Sequence, residues 1–507
     1  MSGPCADRLL RRGACVMGVI FCLACSVSGA ATKEQWTSVR SAHYLFVGDA
    51  SEVEMRRVAA RFEQFRAAFA ELFPAFGLNA PVPTRVVVFS SYDAYSPFRP
   101  LYRKRTISFT GYFQAGLDTN YIVLPLGLPA EDLYALPQHE SVHLLIAGSA
   151  RHVPDWLNEG LAQYYSTFSL STRGGVLGTP IQRHVQFLRE HKLLTLAQLF
   201  RIERGSADYV EDERNDIFYA QAWALVHYLI SGNEGRRQLQ LLRFMEMLAA
   251  GLPVERSFQQ SFHADYQTIE TELTAYVERG EYPVRAIAVD NRSGSDTELH
   301  EQSLTEAEAQ YYLGDLLLHI ERPEDAAKYL QRAVALDEKL AEARAALGMT
   351  RVRQRRFAEA EEQLRQAVTL APDSCLAHYY YAYALSREGM DEEQATTGYS
   401  PEVARVMRAE LQRAIMLEPR FPESYRLLAF VNLVTGERLA EAVTLLKQAL
   451  ALSPGRPDLT FILAQVYLRQ KDLPAARETL EKVIRMSTAP QLRARAQTLL
   501  DDIAAGK

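Results

Sequence analysis

Residues 139–143 of this chain are His-Glu-Ser-Val-His, and residues 154–162 are Pro-Asp-Trp-Leu-Asn-Glu-Gly-Leu-Ala. The first stretch places His139 and His143 four positions apart, so on a helix both imidazoles lie on one face and can reach one ion. Glu140 lies beside them, where a carboxylate can take a proton from a water molecule at the ion. Apolar residues flank the stretch and predict a buried helix. The pattern therefore predicts a metal site.

The second stretch resembles the motif W-L-x-E-G-L-A, in which gluzincin peptidases carry their third zinc ligand. By that resemblance Glu159 completes a Zn²⁺ site with His139 and His143. Two histidines and one glutamate leave a fourth position for water, which is typical of catalytic zinc. The resemblance implies a zinc metallopeptidase with Glu140 as general base. Two alternatives stay open: two surface histidines with an unrelated glutamate, and a degenerate site that binds metal without activity.

A peptidase also needs a group that stabilises the oxyanion. Residues 219–229 resemble the Y-x-Q-x-W-x-x-V-x-Y-L helix of bacterial peptidase MA-like proteins, and this resemblance gives Tyr219 that role. His227 falls near the same helical face and is the alternative. Either side chain can instead serve only in packing.

Two further features belong to the predicted site. Asp155 is expected either to orient a ligand imidazole or to cap the helix that carries Glu159. Residues 107–115 and 121–126 form a predicted hairpin before the metal helix. Its arm at residues 109–115 is either an edge that binds substrate backbone or an ordinary part of the core.

Beyond residue 304 the sequence repeats with a period of 34, as Gly314 and Gly348 or Leu330 and Leu364 illustrate. This period is that of tetratricopeptide repeats. The resemblance implies about five repeats over residues 305–504, with an insertion near 388–400 and a final capping helix. Such arrays present a groove to other proteins, so a protein partner is expected. Tyrosines crowd residues 379–383 and serve either the groove or the packing between repeats.

The predicted fold is α+β. A gluzincin-like metallopeptidase domain, a small sheet plus helices, occupies residues 33–280, and an α-solenoid of tetratricopeptide repeats occupies 305–504. Residues 281–304 are polar, lack an apolar period and are predicted to be a linker. This order resembles bacterial peptidase MA-like proteins with repeat tails.

The N-terminal residues resemble a secretory signal peptide. Residues 8–12 contain three arginines, residues 14–27 are largely apolar and residues 28–30 are small. We expect removal of residues 1–31 and a periplasmic or secreted protein. An uncleaved anchor, or a lipoprotein attached through Cys22 or Cys25, is the weaker interpretation. Only Cys375 lies outside this segment, so no disulfide is expected within the mature chain.

Composition narrows the class of function. The net charge is -6 and the pI about 6.1, without a block of basic residues, so no nucleic-acid partner is expected. No later stretch has the ~18 apolar residues of a membrane span. The sequence therefore predicts an exported zinc metallopeptidase that hydrolyses peptide bonds and recruits proteins through its repeats. The alternative is a non-catalytic envelope adaptor with a degenerate metallopeptidase fold.

Overall fold

The structure is a computed structural model that describes residues 35–72, 82–102, 105–106, 111–127, 135, 138–143, 146, 153–171, 174–202, 212–250, 252–287, 299–388, 398–453, 455–487 and 489–506. The predicted signal peptide and residues 107–110 of the predicted hairpin lie outside the described residues. Residues from Trp36 onward belong to one unit.

The N-terminal part is built on strands. They are β1 Thr37–Arg40, β2 Tyr44–Gly48, β3 Thr84–Phe89, β4 Leu101–Tyr102, β5 Arg105–Thr106, β6 Tyr112–Gln114, β7 Asn120–Pro125, β8 Ser169–Ser171, β9 Gly174–Leu177, β10 Arg285–Ile287 and β11 His300–Ser303. Six of them form a mixed sheet in the order β11-β1-β2-β3-β7-β6. The pairs β2-β3 and β3-β7 are parallel, and the other neighbours are antiparallel. Helix α1, Glu52–Leu72, connects β2 to β3.

The two faces of this sheet pack against different parts of the chain. Side chains alternate along a strand, so Val86 and Val88 of β3 share a core with Phe62 of α1. Val87 and Phe89 point the other way and share a core with residues of the repeat helices. The sheet is therefore a middle layer between α1 and the start of the repeats.

Helices follow the sheet. Helix α2 is Tyr92–Tyr95, and α3 is described at residues 138–143. The next helices are α4 Asp155–Tyr165, α5 Gln182–Glu190, α6 Leu196–Leu199, α7 Asp212–Ser231, α8 Gln238–Ala249, α9 Val254–Phe262 and α10 Tyr266–Arg279. They share an aromatic core that contains Trp156, Trp223 and Phe244. A smaller sheet with the order β10-β9-β8 accompanies them.

The C-terminal part consists of paired helices. They are α11 Glu306–His319, α12 Pro323–Leu336, α13 Ala341–Arg353, α14 Phe357–Leu370, α15 Cys375–Glu388, α16 Pro401–Leu417, α17 Pro422–Thr435, α18 Leu439–Leu452, α19 Pro457–Arg469, α20 Leu473–Met486 and α21 Pro490–Ala504. Over the described part of residues 306–504 this gives five pairs and a last single helix. The predicted insertion falls between α15 and α16, mostly on residues 389–397, which lie outside the described residues. A small mixed sheet followed by a helical solenoid agrees with the α+β prediction at this level.

The segment predicted to be a linker contributes strands at both ends, and the prediction is corrected there. β10 pairs with β9, and β11 pairs with β1 in the main sheet, where Ser303 lies opposite Thr37. The sequence of β11 is His-Glu-Gln-Ser, with mostly exposed residues, because the strand lies at the sheet edge. An edge strand without an apolar face gives no alternating pattern to detect.

A buried polar contact joins the sheet to the first repeat. Arg85 of β3 donates to Asp315 of α11, and its second terminal nitrogen lies 2.9 Å from the hydroxyl of Tyr311. The Tyr121 hydroxyl of β7 also donates to Asp315. Burial opposes the charge of Arg85, but these partners raise its pKa well above the ordinary value. The guanidinium therefore stays charged within the interface.

No helix among the described residues combines the length with the apolar composition that spanning a membrane requires.

Candidate metal centre

Three side chains that are distant in sequence converge at the meeting point of α3 and α4. The Nε2 atoms of His139 and His143 are 3.0 Å apart. One Glu159 oxygen lies 3.6 Å from Nε2 of His139, and the other lies 3.7 Å from Nε2 of His143. The structure thus brings together all three residues that the sequence predicts as ligands, with one ligand atom from each inside a span of 4.8 Å.

These separations suit a small tetrahedral ion. Two atoms that each lie ~2.0–2.1 Å from such an ion are about 3.4 Å apart, close to the separations between the three candidate ligand atoms. Two imidazole nitrogens and a carboxylate are donors that zinc accepts. His143 and Glu159 are buried, whereas His139 keeps 17% of its side-chain surface exposed. The residues therefore fit a zinc ion that is reached from the His139 side.

An amide orients one of the imidazoles. Nδ1 of His143 lies 3.0 Å from Oδ1 of Asn158, the residue before Glu159 on α4. In the tautomer whose Nδ1–H donates to Asn158, the lone pair of Nε2 faces His139 and Glu159. Asn158 thus orients the His143 ring through its second nitrogen. Asp155 is the first residue of α4, and Pro154 occupies the N-cap position.

Close packing fixes the helix that carries Glu159. A Cβ atom on Gly160 would lie 2.5 Å from the carbonyl oxygen of Ala222 on α7, so only glycine permits this approach of α4 to α7. One turn earlier on α4, the Trp156 ring stacks on Phe200 with centroids 4.6 Å apart. These contacts hold α4, and with it the backbone of Glu159, in a fixed position within the helical core.

Tyr95, which the sequence did not single out, lies within electrostatic range of Glu140. Glu140 is buried on α3 between the two histidines in sequence. Burial raises the pKa of Tyr95 at the end of α2, and the negative charge of Glu140 adds to this effect. The Tyr95 ring in turn packs 6.3 Å from that of Tyr112 on β6. No motif marks Tyr95, because its nearness to Glu140 arises only from the fold.

The two candidates for the oxyanion-stabilising group differ in their surroundings. Tyr219 lies on α7, one turn before Ala222, and is half-buried against the helical core. His227 is fully buried: its Nε2 lies 2.8 Å from the Gly178 carbonyl oxygen, and its Nδ1 lies 2.8 Å from the Tyr276 hydroxyl. Burial lowers the pKa of His227. These contacts match the packing interpretation of His227 and leave Tyr219 as the candidate.

The predicted substrate edge is described only in part. Tyr112–Gln114 form β6, which pairs antiparallel with β7 and ends the sheet in the described residues. Residues 109–110 of the predicted arm lie outside them. Among the described residues, β6 has a strand on one side only, and a further strand could pair with the other side.

Comparisons with known proteins divide the chain into two parts. Models of the tetratricopeptide repeat match residues 299–341, 345–398 and 433–503. The chain therefore carries tetratricopeptide repeats in its C-terminal half, as the 34-residue period predicted. Residues 135–255, which include His139, Glu159 and Tyr219, match a family described as "Protein of unknown function (DUF1570)". A comparison with proteins of curated function found no match to the chain.

Among solved structures the similarity is to repeat proteins. The chain is 23% identical to TTC0263, a thermophilic repeat protein of Thermus thermophilus, over 38% of this chain and 98% of that one, with a TM-score of 0.32. It is 20% identical to PilF of Pseudomonas aeruginosa over 39% and 86%, with a TM-score of 0.32. It is 17% identical to MamA of Desulfovibrio magneticus RS-1 over 36% and 96%, with a TM-score of 0.31.

Proposed function

We propose that this protein hydrolyses peptide bonds at a zinc site formed by His139, His143 and Glu159, and that its repeats bring a protein to that site. The observation that carries the proposal is the convergence of the three ligand atoms within 4.8 Å, with Glu140 on the same helix as both histidines. The donor set and the access from one side favour a catalytic ion over a structural one.

Zinc, when bound, would polarise the peptide carbonyl and make water a better nucleophile at neutral pH. The Glu140 carboxylate takes the proton of the attacking water and delivers it to the leaving nitrogen. Asn158 keeps the His143 ring in the orientation that binding requires, through the 3.0 Å contact at Nδ1. Tyr219 is proposed to donate its hydroxyl to the developing oxyanion.

The sheet edge offers a place for the substrate backbone. β6 is the last strand of the sheet in the described residues, and its Tyr112 packs on Tyr95, which lies near Glu140. An extended peptide that pairs with β6 would gain backbone hydrogen bonds without a requirement for one sequence. The proposed location is the periplasm or the cell exterior, and the support for it is the composition of residues 1–31.

A second function is a non-catalytic adaptor that assembles proteins through its repeats. The comparisons support this function better than the first, since repeat models match and no peptidase model does. The sheet packs on the first repeats in a shared core, which suits a rigid scaffold as well. The two functions differ in whether they need Glu140.

The decisive variant is Glu140→Gln, which removes the base and keeps the shape of the side chain. For an enzyme, peptide hydrolysis is lost while zinc content and protein binding are retained. For an adaptor, cells that carry the variant process the same exported proteins as cells with native protein. The matched control is Glu246→Gln, an exposed glutamate on α8, which should change neither readout.

The role of Tyr219 has its own variant. Tyr219→Phe should lower turnover roughly 100- to 1000-fold with unchanged zinc content, because an oxyanion donor acts mainly in the transition state. A turnover within about threefold of native would remove Tyr219 from the proposal.

A further inference from the structure

The loop between β6 and β7 reaches the surface of the repeats. Residues 115–119 form this loop, and its turn is tight, since a Cβ atom on Gly116 would lie 2.0 Å from the Thr119 carbonyl oxygen. The Gly116 backbone N–H also donates to the Asn120 side chain at 3.2 Å. Leu117 is 55% exposed, but the following residue, Asp118, keeps only 12% of its side-chain surface. The loop therefore presents one carboxylate to the repeats.

Two residues from different repeats form hydrogen bonds with that carboxylate. One oxygen of Asp118 lies 3.1 Å from Nε2 of His319, the last residue of α11. The Tyr380 hydroxyl of α15 donates to the other oxygen. α11 and α15 are the first helices of the first and third pairs, so the stacking of the repeats brings these two hydrogen-bond donors together. We call His319 and Tyr380 the acceptor, meaning the place that accepts a carboxylate. The carboxylate of the loop fills it.

The acceptor carries a positive charge at neutral pH. Nδ1 of His319 donates to the Asp315 carbonyl oxygen at 2.8 Å, so both ring nitrogens act as donors. Burial alone would lower the pKa of His319, but Asp315 and Asp118 raise it to about 9. The Asp315 carboxylate pairs with Arg85 and also lies 3.7 Å from Nδ1 of His319, while Nε2 of His319 faces Asp118.

The charge of Asp118 matches this acceptor. Burial alone would raise the pKa of Asp118, but the hydrogen bond and charge of His319 lower it below its ordinary value. Both partners are therefore ionised over a broad range around neutral pH. The contact depends on a carboxylate, since an amide could reproduce its shape but not its charge.

We propose that His319 and Tyr380 form an acceptor for an aspartate-bearing peptide segment of a protein partner, and that Asp118 occupies this acceptor when the partner is absent. Repeat arrays present extended surfaces that bind proteins, and the acceptor is built from the first helices of two repeat pairs. The half-buried Tyr383 lies one turn after Tyr380 on the same face of α15 and adds contact area for a longer segment.

Competition with Asp118 links the repeats to the candidate metal centre. Release of the loop would free one end of β6, the edge strand that packs through Tyr112 on Tyr95. A tethered ligand has an effective concentration in the ~mM range, so a free peptide must offer more contacts than Asp118 does. This inference rests on the proposed role of the repeats in binding proteins, and it does not require peptide hydrolysis.

The test uses the full chain and a synthetic peptide with the sequence of residues 112–121 as probe. Asp118→Asn removes the charge that holds the loop in the acceptor and keeps the size of the side chain. We expect this variant to bind the peptide about tenfold more tightly than native protein does, which is the effect of one hydrogen bond to a charged group. A second substitution, His319→Gln, should abolish the gain. A peptide with asparagine in place of its aspartate should bind Asp118→Asn no more tightly than it binds native protein.

Equal affinity of native protein and Asp118→Asn for the peptide would overturn the proposal, as would equal binding of the aspartate and asparagine peptides. If Asp118→Asn does not fold, Tyr380→Phe serves instead, because it removes one donor and keeps the ring. Amide hydrogen exchange in residues 116–119 should then rise about tenfold, and unchanged exchange would also overturn the proposal. Neither readout involves catalysis, so a failure here is distinct from a failure of the proposed hydrolysis.

Discussion

The Nδ1 atom of His143 lies 3.0 Å from the Oδ1 atom of Asn158, and this contact joins the helix with both histidines to the helix that carries Glu159. A ligand imidazole that donates its other N–H to a fixed acceptor binds metal in one tautomer and one orientation. The relation between these two residues therefore prepares the site before any ion binds.

Replacement of the amide should weaken zinc binding. Asn158→Ala removes the acceptor of His143, and we expect a loss of zinc affinity of about 10- to 100-fold. Competition with a chelator of known affinity measures it. The control is Asn432→Ala, another buried amide, which accepts from Arg408 at 2.9 Å within the repeats. That variant should lose stability and keep zinc affinity. Equal zinc affinity of Asn158→Ala and native protein would contradict the assigned role.

The close approach of α4 to α7 should also be sensitive to substitution. Gly160→Ala would place a Cβ atom 2.5 Å from the Ala222 carbonyl oxygen. We expect the free energy of unfolding to fall by about 1–3 kcal/mol and zinc affinity to fall with it. Gly348→Ala is a matched control, since its Cβ atom would lie 2.5 Å from Cγ of Leu364 in the repeats. Zinc affinity that falls equally in both variants would show a general effect of destabilisation.

The ion pair of His319 with Asp118 predicts a loss of stability at alkaline pH. The pKa of His319 is raised from 6.5 to about 9 in the folded state. A raised pKa means that the folded state binds the proton more tightly. The stabilisation is therefore complete below pH 6.5 and is lost as the pH rises through about 9. A shift of this size corresponds to about 3 kcal/mol at most.

Chemical denaturation at pH 7 and pH 10 measures this loss, with His319→Gln as the control for other groups that titrate. The groups that face the imidazole are Asp118, Asp315, the Tyr121 ring at 5.0 Å and, through Asp315, Arg85. Native protein should lose more stability between the two pH values than the variant does. A parallel loss in both proteins would mean that the proton on His319 contributes nothing.

The shared core predicts that the N-terminal part needs the first repeats. A chain that ends at residue 298 lacks β11 and exposes the sheet face with Val47, Val87, Phe89 and Val123. We expect it to aggregate, whereas a chain that ends at residue 371 keeps the helices that cover this face and should fold. Circular dichroism and gel filtration of both chains decide the matter. A soluble, folded chain ending at residue 298 would contradict the placement of the sheet between α1 and the first repeats.

Local spacing made the ligand set predictable. His139 and His143 are one helical turn apart, so their convergence needs no knowledge of the fold, and Glu159 followed from a resemblance in the neighbouring motif. Asn158 was missed although it lies in that motif. Asp155 and Asn158 are three positions apart on one helix, and the crossing of α3 and α4 decides which of them meets His143. No short-range pattern specifies that crossing.

The packing of the sheet on the repeats was missed for a related reason. The 34-residue period identified the repeat helices but gave no sign of what covers α11. Tyr311, Asp315 and His319 recur every four residues on that helix, and polar residues on one face of a helix suggest solvent as readily as a partner. Their partners, Arg85 and Asp118, lie about 200 residues away in the chain.

The zinc content of purified protein tests the central claim most directly. Native protein, incubated with zinc and freed of excess ion, should contain one zinc per chain by elemental analysis, and Glu140→Gln should contain the same amount. His143→Ala, checked for folding by circular dichroism, should contain almost none. A native protein that retains no more zinc than His143→Ala would contradict the assignment of His139, His143 and Glu159 as a metal site.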